Sequence, residues 1–204
     1  GESNDLVLNI AITKVDCYGT DDGAISVSVL SGGVGSIPTD YDHQWNTSPL
    51  QSGEDAVGLP AGTYNDTITD DAGCIWIETI VVTQPTDTLE AFAGTFGSGF
   101  EPVEPLCNGG SNGTYTVLPT GGTAFGSGTY AYQWYEGSNS GTGVLMPLQT
   151  NQTATGLSAS QDYTCLITDF EGCTFEYTDQ LTEPSVINVP ATVTDATCFG
   201  VSDG

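Results

Sequence analysis

Cysteine and turn-forming glycine recur in this chain in a fixed local pattern, and the chemistry that they offer is disulfide formation. The stretches CYGTDDG from Cys17, CNGGSNG from Cys107 and CFGVSDG from Cys198 all fit Cys-x-Gly-x-x-Asp/Asn-Gly. They begin 90 and 91 residues apart. A fixed spacing combined with repeated local chemistry defines an internal repeat.

A second motif keeps the same phase and sets the domain organisation. TDDAGC, ending at Cys74, matches TDFEGC, ending at Cys173. We therefore predict two complete copies, at residues 1–85 and 86–185, and the start of a third copy at residues 186–204. Lengths of roughly 90 to 100 residues suffice for a small domain with its own core. The chain is interpreted as a fragment of a longer tandem array.

Six cysteines in a chain with one basic residue favour an oxidising, extracytoplasmic setting. Cys17 and Cys74 bracket copy one, and Cys107 and Cys173 bracket copy two. The equivalence of the copies predicts disulfides within each domain, Cys17–Cys74 and Cys107–Cys173. Six cysteines allow 15 pairings in principle, and the repeat narrows them.

Two other residues with reactive side chains are predicted to be structural. Cys165 stands opposite Asp66 when the copies are aligned, so it lies outside the shared framework. We predict a buried free thiol, and a link to Cys198 is the alternative. His43 is the only histidine and shares a strand face with Trp45. A satisfied core histidine is the interpretation, since no second histidine is present to build a zinc site of the usual kind.

Four carboxylates of copy one form a candidate calcium site. Asp21 and Asp22 follow the first cysteine, and Asp70 and Asp71 precede the second. The disulfide predicted for copy one would bring these turns together, and Ca²⁺ takes oxygen ligands of this kind. The alternative is that Asp22 caps its own turn while Gly23 supplies a positive φ. No other cofactor is indicated.

Aromatic residues on the final strands are candidates for binding glycans. Trp76 and Tyr177 lie on the last strand of each copy, where an exposed ring could stack on a sugar. Trp45 and Trp134 lie on the third strand of their copies and are predicted to be core residues.

These residues must be positioned by strands, because period-two alternation dominates the sequence. AISVSVL, residues 24–30, places Ile25, Val27 and Val29 on one face. Tyr64 and Tyr163 follow turns and lead strands, as in a tyrosine corner. About seven strands a copy predict an all-β chain of tandem immunoglobulin-like β-sandwich repeats. Residues 94–105 and 138–149 of copy two are predicted to be loop insertions.

The charge of the chain excludes several classes of partner. There are 26 Asp and Glu residues against one Lys or Arg, a net charge of −25. Nucleic acids and acidic membrane surfaces would be repelled. No apolar run is long enough to span a membrane. No group of residues stands out as a catalytic site, so we predict that the chain is not an enzyme.

The order of motifs resembles the SprB repeat of very large surface adhesins from gliding Bacteroidetes. The resemblance rests on the first cysteine motif, Tyr-x-x-x-Trp or Tyr-x-Trp, Ala-Gly-Thr-Tyr at 61–64, Thr-Asp-x-x-Gly-Cys and Thr-Gln/Glu-Pro. It covers nearly the whole chain. Copy two departs from it, since ASQDYTC replaces the Gly-Thr-Tyr turn and Cys165 is extra.

The resemblance implies an extracellular adhesin filament, exported by the type IX secretion system and moved along the cell surface during gliding. It carries over no catalytic residues. We expect a stiff stalk whose partners are neighbouring repeats of the same polypeptide. The alternative is that the repeats themselves bind surface polysaccharide.

Overall fold

The described residues of the chain form strands and turns. The computed structural model describes residues 5–34, 41–93, 102–126, 128–192 and 199–200, which contain fourteen β-strands. Within these ranges, no helix is long and apolar enough to cross a membrane.

Copy one is a sandwich of two antiparallel sheets. Its strands are β1 Val7–Thr13, β2 Gly23–Ser31, β3 Asp42–Trp45, β4 Gln51–Ser52, β5 Asp55–Leu59, β6 Gly62–Thr69 and β7 Ile75–Val82. One sheet has the order β1-β2-β5 and the other the order β4-β3-β6-β7. The three-plus-four arrangement is that of an immunoglobulin-like sandwich.

Copy two repeats the topology. Its strands are β8 Glu90–Ala93, β9 Gly113–Thr120, β10 Ala131–Glu136, β11 Val144–Met146, β12 Thr153–Leu157, β13 Asp162–Thr168 and β14 Thr174–Gln180. The sheets are β12-β9-β8 and β11-β10-β13-β14. The prediction of an all-β chain of tandem immunoglobulin-like sandwiches is confirmed.

Each copy has its own core, built around one tryptophan. Trp45 and Trp134 are fully buried, and each indole N–H donates to a backbone carbonyl at 2.9 Å. Ile25, Val27 and Val29 are buried on one face of β2. The alternation read from the sequence therefore gives the correct core face.

The tyrosine corners are also present. The hydroxyl of Tyr64 donates to the Pro60 carbonyl at 2.7 Å, and that of Tyr163 accepts from the Ser158 N–H at 3.0 Å. These bonds tie the starts of β6 and β13 to the turns before them, where the chain crosses from one sheet to the other.

The glycines of the cysteine motif have two different tasks. The first glycine has a positive φ in all three copies: 79° at Gly19, 73° at Gly109 and 90° at Gly200. The second glycine does not. A Cβ on Gly23 would lie 2.6 Å from the Leu59 carbonyl oxygen, and one on Gly113 would lie 2.7 Å from Leu181 Cδ1. The positive φ that the sequence analysis gave to Gly23 belongs to Gly19, and Gly23 is required by close packing.

One further expectation was incomplete. Residues 138–149, predicted to be a loop, contain β11, the edge strand of the four-stranded sheet. Of the predicted insertion at 94–105, residues 94–101 lie outside the described residues. Residues 186–192, expected to begin a third copy, form no strand, and residues 193–198, with Cys198, lie outside the described part of the chain.

Candidate functional site: the junction between the copies

The two cysteine loops of copy one lie at opposite ends of its sandwich. The Cys17 end is the loop after β1, and the Cys74 end is the loop before β7. β7 then runs the length of the sheet, so that Thr83 accepts a hydrogen bond from the Val15 N–H at 2.9 Å. Eight residues of strand at about 3.3 Å each separate the two ends by roughly 26 Å.

That distance forbids the disulfides predicted within each copy. Bridged cysteines need Cα atoms within about 7 Å. The Cys107 and Cys173 loops are separated in the same way by β14. The predicted pairs Cys17–Cys74 and Cys107–Cys173 are therefore wrong, although the four residues were correctly recognised as equivalent pairs.

The observed disulfide joins one copy to the other. Cys17 is bonded to Cys173, with the Cα atoms 5.7 Å apart and a sequence separation of 156. The first cysteine of copy one thus meets the second cysteine of copy two. Cys74 and Cys107 are free thiols on the surface.

An ion pair lies beside this disulfide. The ammonium of Lys14, three residues before Cys17, donates a hydrogen bond to the carboxylate of Glu171, two residues before Cys173. The hydrogen bond to Glu171 raises the pKa of Lys14. The one basic residue of a chain with net charge −25 is thus placed where the copies meet. Copy two has Glu104 at the position of Lys14, so the ion pair is particular to this junction.

The junction also encloses a cleft of about 180 Å³. Tyr18 and Cys17 line it from copy one, and Leu89, Gly122 and Cys173 line it from copy two. Leu89 is buried in the core of copy two. The chain therefore passes from one core to the next within a few residues, and the bonded cysteines Cys17 and Cys173 line the same cleft as Leu89.

The carboxylates predicted to bind calcium brace their own loops instead of meeting at one site. Asp70 Oδ1 accepts from the N–H groups of Ala72 at 3.0 Å and Cys74 at 2.8 Å, and Oδ2 accepts from the Val34 N–H at 3.0 Å. These bonds, that from Cys74 foremost, hold the pKa of Asp70 below its ordinary value. Asp169 accepts the three equivalent bonds in copy two.

The loop after the first cysteine is braced in a similar way. Asp22 Oδ1 accepts from the Thr20 hydroxyl at 2.9 Å and the Asp16 N–H at 3.2 Å, which lowers the pKa of Asp22. Asn112 Oδ1 accepts from the Leu106 N–H at 3.1 Å in copy two. A neutral amide therefore serves where copy one has a carboxylate, which points to a structural task.

The four carboxylates do not form the single calcium site that was predicted. Asp21 and Asp22 belong to the Cys17 end, whereas Asp70 and Asp71 belong to the Cys74 end. Among the described residues, no group of three or more His, Cys, Asp or Glu side chains is placed to hold a metal ion. The predicted site depended on the Cys17–Cys74 disulfide and is lost with it.

The two candidate glycan-binding rings point toward the sandwich interior. Trp76 alternates with the outward residues of β7, packs against the core of copy one, and has its indole N–H 3.4 Å from Glu78 Oε2. Tyr177 packs against the core of copy two and tilts against Tyr115, with ring centroids 6.2 Å apart. Neither ring forms an exposed stacking platform.

A buried titratable pair distinguishes the core of copy one. His43 Nδ1 and Asp66 Oδ2 are 2.6 Å apart, with side chains 2% and 0% exposed. Asp66 Oδ1 has no hydrogen-bond partner. Tyr132 and Cys165 occupy the equivalent places in copy two, and burial raises the pKa of the Cys165 thiol to about 12. The predictions of a core histidine and a buried free thiol are confirmed.

Comparison with known protein families finds the same repeat at two places in the chain. The SprB repeat matches residues 9–49 and 99–139. No match is found among curated proteins. These two segments are again offset by 90 residues, the spacing of the cysteine motifs.

Solved structures with several tandem domains are similar to this chain at low sequence identity. The three N-terminal domains of the highly immunogenic outer capsid protein of bacteriophage RB49 share 14% identity, with a TM-score of 0.49 over 88% of this chain and 59% of that one. The N-terminal eight Ig domains of Down syndrome cell adhesion molecule share 11%, with a TM-score of 0.38 over 88% of this chain and 25% of that one. DIP-gamma IG1+IG2 shares 13%, with a TM-score of 0.33 over 88% and 98%.

Proposed function

The chain carries SprB repeats at two places, and from that premise we propose that it is a section of a cell-surface adhesin whose copies act as a stiff, covalently clamped stalk. The repeats support an extracellular, adhesin-like repeat region built from structural rather than catalytic domains. In this proposal the stalk holds a distal contact away from the cell and transmits force during surface attachment and gliding, after export by the type IX system.

The observation that carries the proposal is the Cys17–Cys173 disulfide between copies. Domains joined by a single linker reorient freely unless their interface is large. Here the junction has three attachments: the chain itself near Leu89, the disulfide, and the Lys14–Glu171 ion pair. Three attachments around one junction oppose bending, which is the property that a stalk needs.

The surface charge suits an array of this kind. A net charge of −25 over 204 residues makes the copies repel other copies at a distance. Repulsion favours an extended polymer and opposes the aggregation of neighbouring filaments. Attachment at the junction must then come from short-range contacts, which here are the disulfide, the Lys14–Glu171 ion pair and the apolar packing of Leu89.

The proposal is tested by measuring whether the two copies tumble together. Backbone ¹⁵N relaxation of the oxidised chain is expected to give one rotational correlation time for both copies, that of a 21.1 kDa body. Cys17→Ser removes the disulfide, and we expect shorter and separate correlation times for the two copies. Cys74→Ser, at an exposed free thiol, is the matched control and should leave the single value unchanged. Independent tumbling of the copies in the oxidised chain would refute the stiff-stalk proposal.

Direct polysaccharide binding is the second candidate, and one feature of copy two favours it. An open cleft of about 400 Å³ is lined by Tyr130, Tyr132, Asn151 and Gln152 among others. Ligand-binding clefts are lined mainly by apolar and aromatic side chains, with a few polar groups that fix the orientation of the ligand. Two tyrosine rings beside two side-chain amides fit a sugar ligand in this way. Titration with a panel of surface polysaccharides tests it: saturable binding that Tyr132→Ala abolishes, while Trp76→Ala does not, would make this copy a glycan reader.

A further inference from the structure

The exposed free cysteine of copy two, Cys107, lies in a loop with the same geometry as the loop of Cys17. Gly19 N–H donates to Gln84 Oε1 at 3.0 Å, and Gly109 N–H donates to Glu183 Oε2 at 2.7 Å. The cysteine carbonyl accepts a turn hydrogen bond in both loops, at 3.2 Å for Cys17 and 2.9 Å for Cys107. Cys107 is therefore presented at its end of copy two as Cys17 is presented at its end of copy one.

An apolar cleft lies beside this free thiol. It has a volume of about 340 Å³ and is lined by Leu106, Cys107 and Pro184–Ile187. Leu106 is 76% exposed and Ile187 is 88% exposed. The equivalent segment of the preceding junction leads into Leu89, which is buried in the core of the following copy. One junction earlier, the same end of copy one faces copy two, since Cys17, Tyr18 and Thr88 line the cleft between the copies.

The other exposed free cysteine, Cys74, lies in a loop that is held in the same way as the loop of Cys173. Asp70 holds the Cys74 loop through three backbone bonds, and Asp169 holds the Cys173 loop through the same three. Gly73 and Gly172 both have positive φ, at 80° and 90°. Cys74 and Cys107 are thus exposed at opposite ends of the pair of copies, each in the loop conformation of a cysteine that is bonded across the junction.

We infer that Cys107 forms a disulfide with the second cysteine of the SprB repeat that follows copy two, and that Cys74 does so with the first cysteine of the repeat that precedes copy one. The array is then a ladder in which every junction carries one bond and every copy takes part in two. This inference rests on the tandem-repeat part of the proposed function.

The chemistry is a two-electron oxidation with a disulfide as oxidant. The Cys107 thiol loses its proton, and its thiolate attacks a carrier disulfide of the thioredoxin-like or small-molecule class, which releases one carrier thiol. The thiolate of the neighbouring copy then attacks Cys107 in the mixed disulfide and releases the second carrier thiol. One protein disulfide forms, the carrier disulfide is reduced to two thiols, and the two protons lost by the protein thiols pass to the carrier.

The test extends the chain by one copy. Residues 114–185 are duplicated after Gly204, so that the motif CFGVSDG opens a complete third copy. Thr174→Ser in the duplicate marks its Cys173 by mass. After refolding with oxidised glutathione, peptide mapping without reduction is expected to find Cys17 with the unmarked Cys173 and Cys107 with the marked one. In the variant Cys107→Ser, the marked Cys173 should become open to alkylation, while the unmarked Cys173 stays bonded to Cys17.

Two outcomes separate the ladder from the stalk. If Cys17–Cys173 forms while Cys107 is alkylated in a chain whose third copy is folded by near-UV circular dichroism, the ladder is wrong and the stalk proposal stands. If Cys17–Cys173 fails to form, the clamp itself is wrong. The third copy of this chain is a hybrid of residues 186–204 and the duplicated residues 114–185, and it could fail to fold. In that case a second chain is made in which a duplicate of residues 86–185 follows Pro184, so that the third copy has the first strand of copy two. The same peptide mapping on this second chain then decides whether Cys107 is bonded to the third copy.

Discussion

The disulfide between copies controls how far the chain can be stretched. Tension applied at the two termini enters through β1, reaches Cys17, crosses to Cys173 and leaves through β14. Everything between the two cysteines, including β2 to β13, is bypassed. Reduction or the substitution Cys17→Ser removes the bypass and places both cores in the load path.

The difference in length follows from the sequence separation of the two cysteines. The disulfide hides 156 residues from the applied force. A fully extended chain spans about 3.3 to 3.6 Å per residue, so the hidden length is roughly 510 to 560 Å. The bonded Cα atoms are only 5.7 Å apart, a negligible correction.

Single-molecule force spectroscopy measures this length directly. The oxidised chain, held at its termini, should extend only through its terminal segments. Cys17→Ser should add about 510 to 560 Å of contour length in two steps, one for each core. Cys74→Ser is the matched control, because it alters a cysteine that is free in this chain and should leave the oxidised trace unchanged. Equal final contour lengths for the oxidised chain and Cys17→Ser would refute the load path.

Three further predictions concern the cores and loops. The single substitutions His43→Tyr and Asp66→Cys should each lower the free energy of unfolding by about 3 to 5 kcal/mol, because each strands a buried polar partner. The double substitution, which introduces the residues of copy two, should recover most of the lost free energy of unfolding in a thermodynamic cycle of urea melts. If the two single losses simply add, His43 and Asp66 are not energetically coupled. Gly113→Ala should lower the free energy of unfolding by about 1 to 3 kcal/mol, since its Cβ would lie 2.7 Å from a buried leucine. Gly126→Ala is the control, because a Cβ there would have no atom within 4 Å, and it should lower the free energy of unfolding far less in the same urea melts. The pKa of Asp70 is lowered on folding, so its carboxylate stabilises the fold above the unfolded pKa of about 3.9, and this contribution is lost as pH falls through the lower, folded value. Asp70→Asn should therefore lower the melting temperature at pH 7. A difference in melting temperature that persists undiminished at pH 2 would contradict this reasoning.

The junction would have been the hardest part of this protein to foresee from residue types alone. Lys14 and Glu171 are 157 residues apart and belong to no shared motif. Their one signal is that Lys14 is the only basic residue in the chain. A lone cation among 26 acids must have several carboxylates in reach, and which of them it meets depends on how two domains are placed.

The error in the disulfide pairing has a specific cause. The repeat period correctly identified which cysteines are equivalent, but equivalence does not say whether a pair closes within a copy or between copies. The strand order did contain the answer, because in a seven-strand sandwich the loop after the first strand and the loop before the last lie at opposite ends. The calcium site and the pairing failed together, since both assumed that these loops meet.

The sequence by itself determined what repeats locally: the two copies, the alternation that makes β2 and its equivalents bury one face, the core tryptophans and the tyrosine corners. These features follow from strand periodicity and turn chemistry, which act over a few residues. Tertiary structure alone decided that Trp76 and Tyr177 face inward, that His43 meets Asp66, and that Cys17 reaches Cys173. Each of these depends on the packing of one sheet on another or one copy on the next, and such distances are fixed by the whole fold and not by any short stretch of it.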